Sequence, residues 1–203
     1  MTSQSLLLAT QNHGKLTELR QLLGNLSLEL CDLTDFPEVE TVPETGESFI
    51  DNASLKAAGY ATQTGLLTLA DDSGLEVEAL GGAPGILSAR YAGEGASDAD
   101  RTARLLAELS IIPPAKRSAR FVSAVAIANR EGQILNVSVG TCDGHIGFAA
   151  RGTGGFGYDP IFIPSGSEKS FAELKSEIKN QISHRARALA GAREFLVGSY
   201  SQR

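Results

Sequence analysis

The sequence is poor in cysteine and histidine, the residues that build structural metal sites. Its 203 residues include two cysteines, Cys31 and Cys142, which lie far apart and form no CxxC motif, and only three histidines. Structural zinc sites need four closely arranged Cys or His ligands. We therefore expect no zinc site, and we expect no disulfide although two cysteines allow one by number.

Long apolar runs and excess positive charge are also missing. The N-terminal MTSQSLLLAT has neither a charged start nor a long apolar stretch, so no signal peptide is expected. No apolar run reaches the length of a membrane-spanning helix. The net charge of −6 argues against the broad basic face of a nucleic-acid binder, but it is compatible with a local basic pocket for a small polyanion. We expect a cytoplasmic protein that binds neither membrane nor nucleic acid.

Short apolar runs alternate with amphipathic segments, which predicts an α/β fold. The opening is a strand at Ser5–Ala9, a helix at Lys15–Leu23 and a strand at Leu26–Cys31, so the first loop should lie at a carboxyl strand end. The other predicted elements are a helix at Ser48–Thr62, strands at 66–70 and 75–80 around an acidic turn, a loop at Gly81–Gly95, a helix at Asp98–Leu109, a hairpin of Ala119–Ala128 and Gln133–Cys142, a strand at Ile161–Ile163, a helix opened by Ser170 and Glu173, and a helix at His184–Val197. We predict one domain over residues 1–203, with a long mixed β-sheet flanked by helices and two lobes around a central cleft.

The loop Thr10–Lys15 lies between the first strand and the first helix. Backbone N–H groups at a helix start attract anions, and a lysine adds positive charge. The Walker A pattern is not met, because Ala9 and Leu16 occupy two of its fixed positions. The alternative is an ordinary polar loop with a helix cap.

Two separate segments supply candidate carboxylates and a lysine. Asp71 and Asp72 follow an apolar run, and adjacent residues on an extended chain point in opposite directions. One of them can therefore face a ligand, and a carboxylate at a strand end is a typical Mg²⁺ ligand. Asn52 and Lys56 share a helix face able to hold a phosphate oxygen, and Glu44 precedes that helix. The alternatives are a plain acidic turn and a solvated helix face.

The segment Gly152–Pro160 contains the pattern GxGxxG but lacks the helix that a dinucleotide fingerprint requires. Its four glycines indicate a backbone that something approaches closely. Phe156 and Tyr158 offer flat faces for a nucleobase. The alternative is a tight loop with aromatic rings in the core.

Basic residues gather near the C-terminus, among them Lys179, His184 and Arg185. Ser183 is placed to cap the last helix, so His184 and Arg185 should fall at its positive end, where cations are disfavoured. This predicts a bound anion or a base carbonyl nearby, and the alternative is plain surface charge.

Taken together and in this order, these motifs resemble the inosine triphosphate pyrophosphatase family. The matching stretches are Thr10–Lys15, Glu44–Gly46 with Phe49–Ala57, Ala70–Leu75, Gly81–Gly85 with Ser88–Tyr91, Gly152–Pro160 and Ile182–Arg185. The resemblance covers about residues 5–197. One departure is Gln11, which stands where a small residue is common.

The resemblance implies a homodimeric, Mg²⁺-dependent enzyme that hydrolyses abnormal purine nucleoside triphosphates such as ITP, dITP and XTP to monophosphate and pyrophosphate. It implies that Asp72 is metal ligand and general base, with Glu44 as second metal ligand and Lys56 as catalytic phosphate contact. The substrate-binding residues that it implies are Thr10, Gln11, Asn12, His13, Gly14, Lys15, Ser73, Phe156, Gly157, Tyr158, Asp159, Lys179, His184 and Arg185.

Two other functions compete with this one. A nucleotide sensor would keep the phosphate loop and base pocket but would not need Asp72 and Glu44. A pyrophosphatase for modified pyrimidine nucleotides would share the fold, but the pair His184 and Arg185 favours a purine.

Overall fold

A computed structural model describes residues 5–200, which contain six strands and five α-helices. The strands are β1 (Ser5–Leu8), β2 (Glu29–Asp32), β3 (Leu67–Val77), β4 (Ser118–Ala128), β5 (Ile134–Ile146) and β6 (Phe162–Pro164). The helices are α1 (His13–Leu23), α2 (Phe49–Thr64), α3 (Asp98–Glu108), α4 (Ser176–Ile182) and α5 (His184–Tyr200). None of these helices is long and apolar enough to cross a bilayer.

All six strands belong to one sheet with the order β2-β1-β3-β4-β5-β6. Strand β1 is parallel to both neighbours, with Leu6 opposite Leu30 of β2 and Leu67 of β3. Strand β6 is antiparallel to β5. The predicted α/β fold with a mixed sheet flanked by helices is therefore confirmed.

The chain forms two compact units, and β3, β4 and β5 each contribute residues to both. The first unit comprises residues 5–72, 123–140 and 185–200. Its core joins apolar side chains of β1, α1, β3, β4 and α5. These include Leu6, Leu19, Leu69, Val125 and Leu189, which are at most 2% exposed.

The second unit comprises residues 73–122 and 141–184. Aromatic rings dominate its core: Phe121 packs edge-on against Phe162 at 4.7 Å between ring centres and lies parallel to Phe171 at 5.9 Å. Cys142 belongs to this core, and it forms no disulfide with Cys31.

Helix starts follow the local sequence closely. Helix α1 begins two residues earlier than predicted, because the Asn12 side chain accepts the N–H of Lys15 and so caps the helix. The Ser48 side chain accepts the N–H of Asp51 at the start of α2. Gly65 ends α2 in the left-handed conformation, which glycine adopts without steric cost.

Three segments differ from the predictions. The capping box of Ser170 and Glu173 forms but opens only a single 3₁₀ turn, because the backbone is already extended at Leu174. The predicted loop Gly81–Gly95 contains a 3₁₀ segment at Gly85–Arg90. The largest difference is at residues 71–74, where the predicted acidic turn is the interior of one continuous strand, β3.

Candidate functional site

The two aspartates of β3 contact different partners, as alternation along a strand requires. Both are buried, with Asp71 at 1% and Asp72 at 7% exposure. Asp71 contacts Lys15 and Ser123, whereas Asp72 contacts Lys56. The local preference of Asp, Ser and Gly for turns is overridden here, because each carboxylate has partners fixed by distant parts of the first unit.

Asp71 lies at the centre of a buried ionic network in the first unit. Its carboxylate is 2.7 Å from Lys15 Nζ and 3.5 Å from the Arg185 guanidinium, and it accepts a 2.6 Å hydrogen bond from Ser123. The other partner of Arg185 is Glu18 of α1. Burial alone would raise the pKa of Asp71, but Arg185 and Lys15 outweigh it and hold this pKa well below its usual range.

Lys56 joins the two carboxylates that the sequence analysis singled out as metal ligands. Its Nζ is 2.6 Å from Glu44 Oε1 and 3.0 Å from Asp72 Oδ1. Lys56 is 9% exposed and Asn52 is 1% exposed, so this face of α2 is not solvated and that alternative is wrong. Burial raises the pKa of Asp72, and the lysines Lys56 and Lys15 only partly oppose this. For Lys56, burial favours the neutral amine, but Asp72 and Glu44 raise its pKa above the ordinary value.

The carboxylates Glu44 and Asp72 suit a magnesium ion that phosphates would help to coordinate. Mg²⁺ is commonly bound through one or two carboxylates, with water and substrate phosphate completing its six oxygen ligands. Residues 5–200 contain no cluster of three or more Asp, Glu, His or Cys that would form an all-protein metal cage. Glu44 and Asp72 could therefore hold such an ion only with further oxygen ligands from water and phosphate.

The loop Thr10–Lys15 is a capped helix start, as the alternative reading supposed, and it still presents N–H groups. Thr10 Oγ1 accepts the N–H of Asn12 at 3.2 Å, and Asn12 Oδ1 accepts that of Lys15 at 3.0 Å. The N–H groups of His13 and Gly14 open the helix, where no intrahelical acceptor exists. Gln11 is exposed, and its Nε2 donates to Thr41 Oγ1 at 3.1 Å. The loop therefore offers N–H donors next to the Lys15 ammonium, an arrangement suited to an anion.

The glycine-rich segment Gly152–Pro160 lies in the second unit. As predicted, no helix begins directly after it, and strand β6 is the next element. Asp159 is buried, accepts the N–H of Phe156 at 2.9 Å and pairs with Lys179 of α4. Lys179 Nζ lies 5.0 Å from the centre of the Phe156 ring. A side chain on Gly155 would collide with Asp159, because an added Cβ would come within 2.0 Å of Oδ2. The segment is thus held tightly around a buried ion pair.

Tyr158 does not offer the exposed ring that the sequence analysis predicted. It is 4% exposed and belongs to the aromatic core of the second unit. Its hydroxyl donates to the Ser88 carbonyl at 2.9 Å. The N–H of Gly157, next to it, donates to Asp98 Oδ2 at 2.6 Å. The Tyr158 ring therefore supports the segment from the core. This agrees with the alternative interpretation, a tight loop with aromatic rings in the core.

His184 and Arg185 open helix α5, as predicted, and both are buried. The His184 ring is stacked on Phe121 in the second unit, with 4.6 Å between ring centres and 10° between planes. Arg185 belongs to the first unit, where it pairs with the protein's own carboxylates Glu18 and Asp71. The bound anion or base carbonyl expected from its place at a helix start stays a prediction. Ser73, the residue after Asp72, is partly exposed.

Glu18 and Ser123 were not anticipated as members of the polar network. Glu18 sits beside the apolar stripe of α1 yet is only 9% exposed. A charged residue next to such a stripe usually points to solvent, so the sequence carries no distinguishing signal. Ser123 lies among apolar residues of β4, and its hydroxyl was the one indication of a buried polar partner.

The fold and the site together describe an α/β protein with a cluster of lysines and carboxylates. Lys15 of α1 and Lys56 of α2 pair there with Asp71 and Asp72 of β3. The model of the Ham1 family matches residues 6–195, and the chain belongs to this family. The family resemblance seen in the sequence is thereby confirmed.

Several relatives are similar to this chain over most of their own length. The dITP/XTP pyrophosphatase of Mycobacteroides abscessus is 50% identical over 188 residues, which cover 91% of each chain. That of Geobacillus kaustophilus is 48% identical over 186 residues, covering 92% of this chain and 91% of the relative. The solved structure of a HAM1 protein from Coxiella burnetii superposes with a TM-score of 0.87 at 41% identity, covering 97% of this chain and all of that one.

Proposed function

We propose that this chain hydrolyses abnormal purine nucleoside triphosphates, of the ITP, dITP and XTP type, to the monophosphate and pyrophosphate. The observation that carries the proposal is the Lys56 ammonium held between Glu44 and Asp72, with Lys15 close to the same strand. The names of relatives that are about half identical to the chain supply the substrate class.

The positive groups of the first unit suit a triphosphate. Lys15, Lys56 and the N–H groups of Thr10–Lys15 provide charge and donors for phosphate oxygens. Asp71 holds Lys15 at 2.7 Å, so the ammonium is oriented before any substrate arrives. Preorganised charge of this kind stabilises negative charge more effectively than mobile charge does.

Asp72 is assigned the role of general base. Burial raises its pKa, which makes its carboxylate a better proton acceptor than an exposed aspartate. Lys56 donates to Oδ1 of Asp72 and fixes the orientation of that carboxylate. In the proposed reaction Asp72 takes a proton from a water molecule, whose oxygen attacks the phosphorus that remains with the nucleoside, and pyrophosphate leaves.

Mg²⁺ is the proposed cofactor, held by Glu44 and Asp72. When bound, it would offset the charge of the phosphates and favour the leaving of pyrophosphate. This role rests on the donor set of the site and on the family resemblance.

The base pocket is assigned to Phe156, Gly157, Asp159, Lys179 and His184, which all belong to the second unit. A 6-keto purine presents an acceptor to the donors Lys179 and His184. Adenine presents an amino group instead, which would leave such donors unpaired, and that mismatch discriminates strongly. Homodimer formation remains a prediction from the resemblance, and a cytoplasmic location remains a prediction from the sequence analysis.

The test is pyrophosphate release from ITP, XTP, GTP, ATP and a modified pyrimidine triphosphate, each with Mg²⁺ and again with EDTA. We expect fast release from ITP and XTP with Mg²⁺ only. Equal rates on all five would refute the specificity, and rapid release with EDTA would refute the metal requirement. Binding of ITP without release would favour a nucleotide sensor.

Asp72→Asn should bind ITP and release no pyrophosphate, and an active variant would remove Asp72 from the mechanism.

A further inference from the structure

Asn52 is a buried side chain with a hydrogen-bond partner at one end only. It is 1% exposed in α2, and its Oδ1 accepts the N–H of Gly46 at 2.8 Å. An N–H group can only donate, so this bond establishes which end of the amide carries the oxygen. Within residues 5–200 no group accepts a hydrogen bond from Nδ2. The amide therefore has donor capacity that the protein itself does not use.

An unused donor in this position is costly, because nearly all buried polar groups in proteins have a partner. Asn52 precedes Lys56 by four residues, so the two share one face of α2. Lys56 is the residue that joins Glu44 and Asp72. The donor is thus positioned beside the groups to which we assign phosphate and metal binding, and a phosphate oxygen is the acceptor that this site would supply.

Gly46 shows how closely the segment carrying Glu44 lies against α2. A Cβ on Gly46 would come within 2.4 Å of Asp51 Cβ and 2.8 Å of Asn52 Oδ1. Any side chain at this position would therefore push the segment away from the helix. The hydrogen bond from Gly46 to Asn52 fixes the main chain two residues after Glu44.

We propose that Asn52 is a further substrate-binding residue with two separate tasks. Its Oδ1 holds the segment Glu44–Gly46, and its Nδ2 donates to an oxygen of the bound triphosphate. This inference rests on the proposed function, since it names another contact of the same site. The hydrogen bond that Nδ2 donates must therefore be tested separately from the effect of Asn52 on the position of Glu44.

The experiment is calorimetric titration of the purified protein with inorganic triphosphate in the presence of EDTA. Without metal, the position of Glu44 should matter little, whereas a direct donor to phosphate should still matter. Asn52→Ala removes both tasks, and Asn52→Asp keeps an acceptor for Gly46 while replacing the amino group with oxygen. Gly46→Ala disturbs the segment but keeps the amide group of Asn52. Asn129→Asp is the control, because the same chemical change is made in a turn where both ends of the amide have partners.

We expect Asn52→Ala and Asn52→Asp to weaken triphosphate binding about 10-fold or more, as for the loss of a hydrogen bond to a charged group. Gly46→Ala and Asn129→Asp should stay within about 3-fold of the unmodified protein. Unchanged affinity in both Asn52 variants would overturn the inference and leave the proposed function intact. Equal weakening by Asn52→Ala and Gly46→Ala would reduce Asn52 to a positioning residue and also overturn it. Failure of the unmodified protein to bind triphosphate would refute the inference together with the phosphate site.

Discussion

Asp71→Asn tests the buried ionic network directly, because it keeps the size of the side chain and removes the charge that Lys15 and Arg185 share. Removing one partner of a buried ion pair costs about 3–5 kcal/mol, since the remaining charge is left uncompensated. Here the lower end applies: Arg185 keeps Glu18, and the Lys15 side chain is 14% exposed. We therefore expect a loss of about 3 kcal/mol in the free energy of unfolding, or about 6–12 °C in melting temperature for a chain of this length.

The assay is urea unfolding followed by far-UV circular dichroism, because the sequence contains no tryptophan for fluorescence. An unchanged slope against urea would show that the same surface is exposed on unfolding. Asp143→Asn is the matched control, since that carboxylate is exposed in β5, and it should change stability by less than about 0.5 kcal/mol. Adding Lys15→Met to Asp71→Asn should recover part of the loss. A change in Asp71→Asn no larger than in the control would show that Asp71 does not compensate these cations.

Three further predictions concern other sites. Lys56→Met should lower the rate of pyrophosphate release about 100-fold or more, since the two carboxylates that it joins lose their shared donor, and a loss below about 3-fold would contradict this role. A hydrogen bond from the Thr34 hydroxyl, with smaller contributions from the Thr34 N–H and Arg20, keeps the pKa of Asp32 below its ordinary value. Asp32 therefore stabilises the fold above about pH 4 and ceases to do so as the pH falls through its folded pKa. Asp32→Asn should accordingly lower the free energy of unfolding at pH 7, and this loss should become smaller as the pH falls below about 4. A loss of constant size over that range would refute the assignment. Gly144→Ala should destabilise by about 1–3 kcal/mol, because its Cβ would come within 2.3 Å of a main-chain oxygen in β6. In contrast, a Cβ on Gly198 of α5 would meet no atom of residues 5–200 within 4 Å other than the neighbouring backbone of its own helix. Gly198→Ala should therefore stabilise by up to about 1 kcal/mol, and a common sign for the two shifts in melting temperature would contradict the packing argument.

Local patterns predicted those parts of the fold whose physical cause is local. Helix α2 begins where Ser48 caps it and ends at a glycine, and both signals are legible in the sequence. The interior of β3 was mispredicted, because Asp71, Asp72, Ser73 and Gly74 favour turns when considered alone. Their extended conformation comes from the sheet, in which β3 lies between β1 and β4.

The sequence by itself determined the family, the α/β class and the chemical groups at the site, because residue types and their order are sufficient to recognise these. It singled out Asp72, Glu44 and Lys56 as site residues, and the structure shows Lys56 in contact with both carboxylates. Only the tertiary structure decided how the buried charges are paired. Arg185 meets Asp71 across 114 residues and Glu18 across 167, and no local pattern encodes contacts over such separations. These pairings affect stability strongly, because a buried charge that is not paired within the protein destabilises the fold.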